Sequence, residues 1–185
     1  MANETSALTD EVKAMIGVSA EKVEASLWGV DREDLRRFTQ AIMDPDPRYW
    51  DDAFAKTTKF GGIVTPPIYC AFLSWKLAPG SDDPITRAFR DDPNADGGVT
   101  VRGGGRGALP PLPTPLKRIL NAGNEIEVFK YPALGDQIFS QARYANITER
   151  FAKDGTAMLI VTTELIYTDQ NGALLCILRA SLIRR

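Results

Sequence analysis

Two carboxylates, Asp44 and Asp46, open the run Asp44-Pro45-Asp46-Pro47-Arg48-Tyr49, and Gly61-Gly62-Ile63-Val64-Thr65-Pro66-Pro67 follows downstream. A carboxylate can activate water, a phenol can donate a proton, and paired glycines let the main chain turn tightly beside a ligand. That combination suits the wall of a small-molecule site. The chain contains no histidine, the one side chain that titrates near neutral pH without help from its surroundings. Its two cysteines, Cys70 and Cys176, lie in apolar stretches and read as reduced core thiols rather than a disulfide or a reactive site. Two cysteines without a histidine also argue against a zinc site.

Several of these residues have a plainer reading as well. Asp44 precedes a proline, where turns favour Asp for local hydrogen bonding. Tyr49 and Trp50 read as aromatics anchoring a short helix, with Asp51 and Asp52 on its solvated face. Gly103-x-Gly105 leads into prolines rather than a helix, so a flexible loop is favoured over a phosphate cradle. Arg102 and Arg106 remain available there to meet a ligand phosphate.

Such residues need a frame. The first 80 residues read mainly as helix: Thr9 and an acidic first turn open one at 9–16, and Gly17 stops it. Asp31 is the expected N-cap of a second, through Met43, with Leu35, Phe38 and Ile42 on one face. Residues 21–28 suit an opening strand or extended lead-in. Pro66 and Pro67 can open a third helix, apolar nearly all round and ended by Pro79-Gly80. From Ser81 to Pro115 the composition turns to Gly, Pro and Asp, which predicts a lid or a disordered insertion.

The remainder reads as antiparallel sheet, with strands at 125–131, 136–152, 157–168 and 173–183. Asp154-Gly155 and Asn171-Gly172 suit tight hairpins. Strands this long must curve, and the apolar helix at 67–77 is the obvious filling for the concave face. A curved antiparallel sheet around one buried helix is the α+β hot-dog arrangement.

Composition sets outer bounds. The chain has 185 residues, 44% hydrophobic and 25% charged, with a net charge of −2. It suits one domain and offers no basic patch for nucleic acid. No run approaches the roughly 18 apolar residues of a membrane span. The first residues lack the basic start and continuous apolar run of a signal peptide, so a cytoplasmic protein is expected.

Four stretches together, "FTQAIMDPDPRYWDDAFA", "GGIVTPP", "NAGNEIEVFKYPALGDQI" and "ITERFAKDGTAMLIVTTELIYTDQNGALL", resemble the MaoC-like hydratase and dehydratase family, in particular its N-terminal-type hot-dog domain. The resemblance covers most of 20–185 and is weak over 81–115. It implies chemistry on an acyl thioester: water added across a trans-2-enoyl thioester, or removed from an (R)-3-hydroxyacyl thioester. Catalytic members carry a segment like Asp-x-Asn-Pro-x-His. Laid on it, the acid survives as Asp44 and the histidine position holds Tyr49.

An unperturbed tyrosine, with a pKa of about 10, donates but is a poor base at neutrality. Losing a general acid–base group costs about 10²–10⁴-fold in rate. Catalytic members also place His-Gly at the start of the central helix, where this chain has Thr65-Pro66-Pro67, and proline has no N–H to polarise a carbonyl. The amide of Ile68 is the nearest substitute. Gly61 and Gly62 lie where the family borders the thioester. Asn121, within Asn121-Ala122-Gly123-Asn124, either offers a hydrogen bond near the cavity or belongs to a turn before the strand.

The resemblance therefore implies a single hot-dog domain over 1–185 acting as the non-catalytic, acyl-chain-binding subunit of a heteromeric hydratase or dehydratase. Its expected ligand is an acyl-CoA or acyl-carrier-protein thioester, lined by Gly61, Gly62, Ile63, Val64, Thr65, Pro66, Pro67 and Asn121, with no separate cofactor and no metal. The expected partner is a hot-dog subunit that supplies the Asp and His. The rivals are a self-sufficient hot-dog hydratase or thioesterase working through Asp44 or Asp46, and a non-enzymatic acyl-thioester-binding protein.

Overall fold

Five β-strands form one antiparallel sheet in the order β1-β3-β4-β5-β2. A computed structural model describes residues 6–25, 27–73, 80, 84–94 and 107–185. The short β1 (Val23–Glu24) is one edge. The long strands are β2 (Ile119–Val128), β3 (Ile138–Phe151), β4 (Ala157–Asp169) and β5 (Leu174–Arg184). Helices α1 (Asp10–Lys13), α2 (Arg32–Ala41), α3 (Asp52–Thr57), α4 (Tyr69–Leu73) and α5 (Pro84–Asp91) precede β2. The sheet curves around its helical filling as a hot-dog fold, the expected class.

The hairpins form where local chemistry demands them. Gly155 and Gly172 take φ values of 81° and 79°, which an L side chain disfavours. Asp169, 1% exposed, accepts from the Asn171 and Ala173 amides at 2.9 Å and from Lys130 Nζ at 2.7 Å. Asp31 caps α2 by accepting from the Glu33 and Asp34 amides. That helix stops at Ala41 rather than Met43, because Met43 swings to φ 55° and sends the chain toward Asp44.

Strand alternation separates the sheet into two faces. One packs Ile126, Leu165, Tyr167, Cys176 and Leu178 into a core with Leu35, Phe38, Ala55, Tyr69 and Leu73. Burying a side chain such as Leu35 contributes about 2 kcal/mol. A second cluster joins Val12, Leu112, Tyr144, Ile147, Leu159 and Val161. Cys70 and Cys176 are free, buried thiols in the first cluster.

Other sequence expectations change in detail. Only Val23–Glu24 of the 21–28 lead-in is strand, pairing with Ser140 and Phe139. Strand β2 starts at Ile119 rather than 125, because pairing with β5 carries it through a bulge at Asn121/Gly123. The central helix is described over Tyr69–Leu73, and 74–79 lie outside the described residues. Within the segment expected as a lid or insertion, 84–91 form α5, while Leu112 packs into the second cluster and Pro110 O accepts from the Tyr144 hydroxyl at 2.9 Å.

Candidate active site

A turn of 3-10 helix, Pro47–Tyr49, follows α2 and carries the residues with acid–base character. Its first turn is organised by Asp46, which accepts from the Arg48 amide at 2.9 Å and from Arg48 Nε at 2.8 Å. The guanidinium then lies 5.6 Å from the centre of the Tyr49 ring. Hydrogen bonds from Arg48 hold the Asp46 carboxyl below the usual range. Asp46 is thus committed to a structural ion pair, which makes it a poor water activator.

Asp44 is half-buried and accepts from the Asp46 amide at 3.2 Å, the local turn contact that its place before a proline suggested. Tyr49 is 5% exposed. Burial, then the negative charge of Asp44, pushes its phenol above the ordinary value, with Arg48 opposing. The pair therefore offers a carboxylate and a phenol that stays protonated at neutral pH. The phenol can donate and accept hydrogen bonds, but it does not exchange a proton near neutrality.

The glycine–proline segment lies beside this turn as a strap. Val64 N–H points to Arg48 O at 3.4 Å, and Thr65 N–H donates to Pro132 O at 2.9 Å. Val64 also bridges Ala133. Gly61 has φ 70°, which supplies the tight turn into the strap. Ile63, Val64, Thr65 and Pro66 are buried, whereas Gly61 and Pro67 are exposed and Gly62 is half-buried. Phe60 packs against Tyr131 with ring centres 5.1 Å apart. The strap's docking partner, Pro132–Ala133, escaped the sequence reading.

Other expected positions fall differently. Asn121 is exposed within β2, where its Oδ1 accepts from the Gly123 amide at 2.9 Å across the bulge. The turn-before-strand reading fails because pairing with Leu182 makes Asn121 part of the ladder. Trp50 is 56% exposed, so Tyr49 alone is the buried anchor. Asp51 caps α3, and Asp52 pairs with Arg32 at 2.7 Å, so neither is merely a solvated charge. Arg102 and Arg106 lie outside the described residues.

A cavity of about 250 Å³ opens elsewhere, on the sheet face opposite the core, lined by Gly123, Asn124, Glu125, Thr162, Arg179 and Ser181. Arg179 there is already matched by Glu164, Glu125 and Glu127. The acid–base residues are thus not at this cavity. Among the described residues, no cluster of His, Cys, Asp and Glu could hold a metal ion, and no helix is long and apolar enough to cross a membrane.

Comparison with known proteins places this geometry. A family model described as FAS1-like, dehydratase domain region, matches residues 14–178. A curated relative, a UPF0336 protein of Streptomyces avermitilis, is 33% identical over 51 residues, which span 28% of this chain and 34% of that protein. Among solved structures, the ChsH1–ChsH2 complex of Mycobacterium tuberculosis aligns with a TM-score of 0.66 at 15% identity, covering 95% of this chain and 94% of the matched one. The HadBC (3R-hydroxyacyl-ACP dehydratase) complex of the same organism gives 0.56 at 17% identity, with 91% and 96% covered. The R-hydratase PhaJ1 of Pseudomonas aeruginosa gives 0.52 at 16% identity, with 91% and 81% covered. At these identities the structural likeness speaks for the fold, while the sequence model spans nearly the whole chain, and the chain belongs to the FAS1-like dehydratase-region family of hot-dog proteins.

Proposed function

We propose that this chain is the acyl-chain-binding, non-catalytic subunit of a heteromeric enoyl-thioester hydratase or (R)-3-hydroxyacyl-thioester dehydratase. The observation that carries the reading is Tyr49: a buried phenol, pushed away from neutrality, stands beside Asp44 where proton exchange is needed. The strap adds a second deficit, since Pro66 and Pro67 present no N–H to a thioester carbonyl.

Two further features favour a partner. The names of two structural neighbours describe complexes, ChsH1–ChsH2 and HadBC. Strand β2 pairs only with β5 among the described residues, and Ile119, Leu120 and Phe129 are exposed along or just beyond it. A partner subunit with an Asp and a His would cover such an edge and do the chemistry, while Asp44, Tyr49 and the strap shape the site around the acyl group.

Purified alone, the chain should hydrate crotonyl-CoA and longer enoyl-CoA negligibly. Activity should appear when it is combined with a histidine-bearing hot-dog subunit. Robust turnover by the lone chain, abolished by Asp44→Asn, would replace this reading with the self-sufficient enzyme.

A further inference from the structure

Thr65 is fully buried, and its Oγ1 has no hydrogen-bond partner among the described residues. A buried hydroxyl left unpaired carries an unrecovered desolvation cost and calls for an explanation. Its surroundings supply one. The Thr65 N–H is spent on Pro132 O, and Pro66 and Pro67 have none. From Thr65 to Pro67 the hydroxyl is therefore the one polar hydrogen not already committed.

The strap that holds it can yield. The main-chain hydrogen bond that ties it to Arg48 is long, at 3.4 Å, and nothing lies within 4 Å of where a Cβ would stand at Gly61 or Gly62. Rotation about the Cβ–Oγ bond re-aims the hydroxyl hydrogen at small cost. The residue also sits next to Val64, whose amide reaches the Arg48 carbonyl beside Tyr49.

We infer that the Thr65 hydroxyl is the hydrogen-bond donor this chain offers to the carbonyl oxygen of a bound acyl thioester, taking over from the amide that Pro66 and Pro67 removed. The inference rests on the acyl-thioester reading above. It makes Thr65 a ligand-binding group kept at the expense of stability, rather than a packing residue.

The test uses octanoyl-CoA carrying a ¹³C label at the thioester carbonyl, bound to the purified chain. Affinity is read by calorimetry, and the carbonyl stretch by difference infrared spectroscopy. A donated hydrogen bond lowers that stretch. Wild type and Thr65→Ser should show the lowered band. Thr65→Val should lose it, bind about tenfold more weakly, and unfold at a temperature no lower than wild type. An unchanged band and affinity in Thr65→Val would overturn the inference while leaving the functional reading intact. So would a lower unfolding temperature in that variant, since it would reveal a structural partner for the hydroxyl. Failure of wild type to bind octanoyl-CoA at all would instead sink the functional reading, and the inference with it.

Discussion

On the outer face of the sheet, Glu164 is 6% exposed, yet it accepts from Arg143 Nε at 2.6 Å and from Arg179 Nε at 2.8 Å. Arg179 continues to Glu125 and Glu127 at 3.3 and 3.2 Å, so charge alternates from β3 to β2. At the strap on the core side, Thr65 is buried as deeply and its hydroxyl has no hydrogen-bond partner among the described residues. In the first region the buried carboxylate is matched at both of its oxygens. The second hides a hydroxyl and leaves it idle, beside a tyrosine and two prolines that withhold a base and two amides. Polar groups that are fully matched hold a structure together, whereas an unmatched one is what remains available to a ligand.

The largest test of this contrast is Arg179→Ala. It strips Glu164 of one of two partners in a nearly buried position and frees Glu125 and Glu127 to repel it. A loss of about 3 kcal/mol is expected, read from the urea unfolding midpoint. A loss within error would mean the ladder is decoration.

Acid sharpens the same point with a smaller effect. Burial opposes ionisation of Glu164, but the Arg179 and Arg143 hydrogen bonds outweigh it and lower its pKa. A carboxylate depressed in the native state contributes stability that is fully present above its unfolded pKa of about 4.5 and fades as pH falls through the native value. Melting temperatures should hold from pH 7 to about 5 and then drop, Asp169 adding to the fall because Lys130 lowers it too. In Arg179→Ala the drop should begin at higher pH.

Thr65→Val should move the opposite way, gaining about 1 kcal/mol in urea unfolding, because a methyl replaces an unmatched hydroxyl of the same shape. The smallest effect is expected of Tyr49→His. It restores an imidazole without restoring an amide at Pro66 or Pro67, so hydration of crotonyl-CoA by the lone chain should rise less than about tenfold, against the 10²–10⁴ that a complete acid–base group supplies. A larger gain would show that the phenol alone silences the site.

How far each region could be read from sequence follows from how local its causes are. Asp31 as a cap and the Asp-Gly and Asn-Gly hairpins act within a few residues, and they appear where expected. The start of β2 was hidden because Asn121 and Gly123 are poor strand formers, and only pairing with β5 recruits them. The packing of Leu112 was equally hidden, since its partners Val12 and Val161 are distant in sequence. At the site, the missing imidazole and the two prolines were legible as residue identities. The idle hydroxyl of Thr65 was not, nor was the exposure of Trp50 beside the buried Tyr49.

By itself the amino-acid order determined which chemistry is absent: without histidine, and with proline twice at the strap, no arrangement of this chain can supply an imidazole or those two amides. It also settled β3, β4 and β5 and the turns between them, because these follow from side-chain shape over a few neighbouring residues. Only the tertiary structure decided which polar groups find partners. Glu164 meets Arg143 and Arg179 through strand register, and Thr65 is sealed off by a strap docked on Pro132 and Ala133. Pairing of that kind depends on which segments are brought side by side, and contacts between residues far apart in the chain set it.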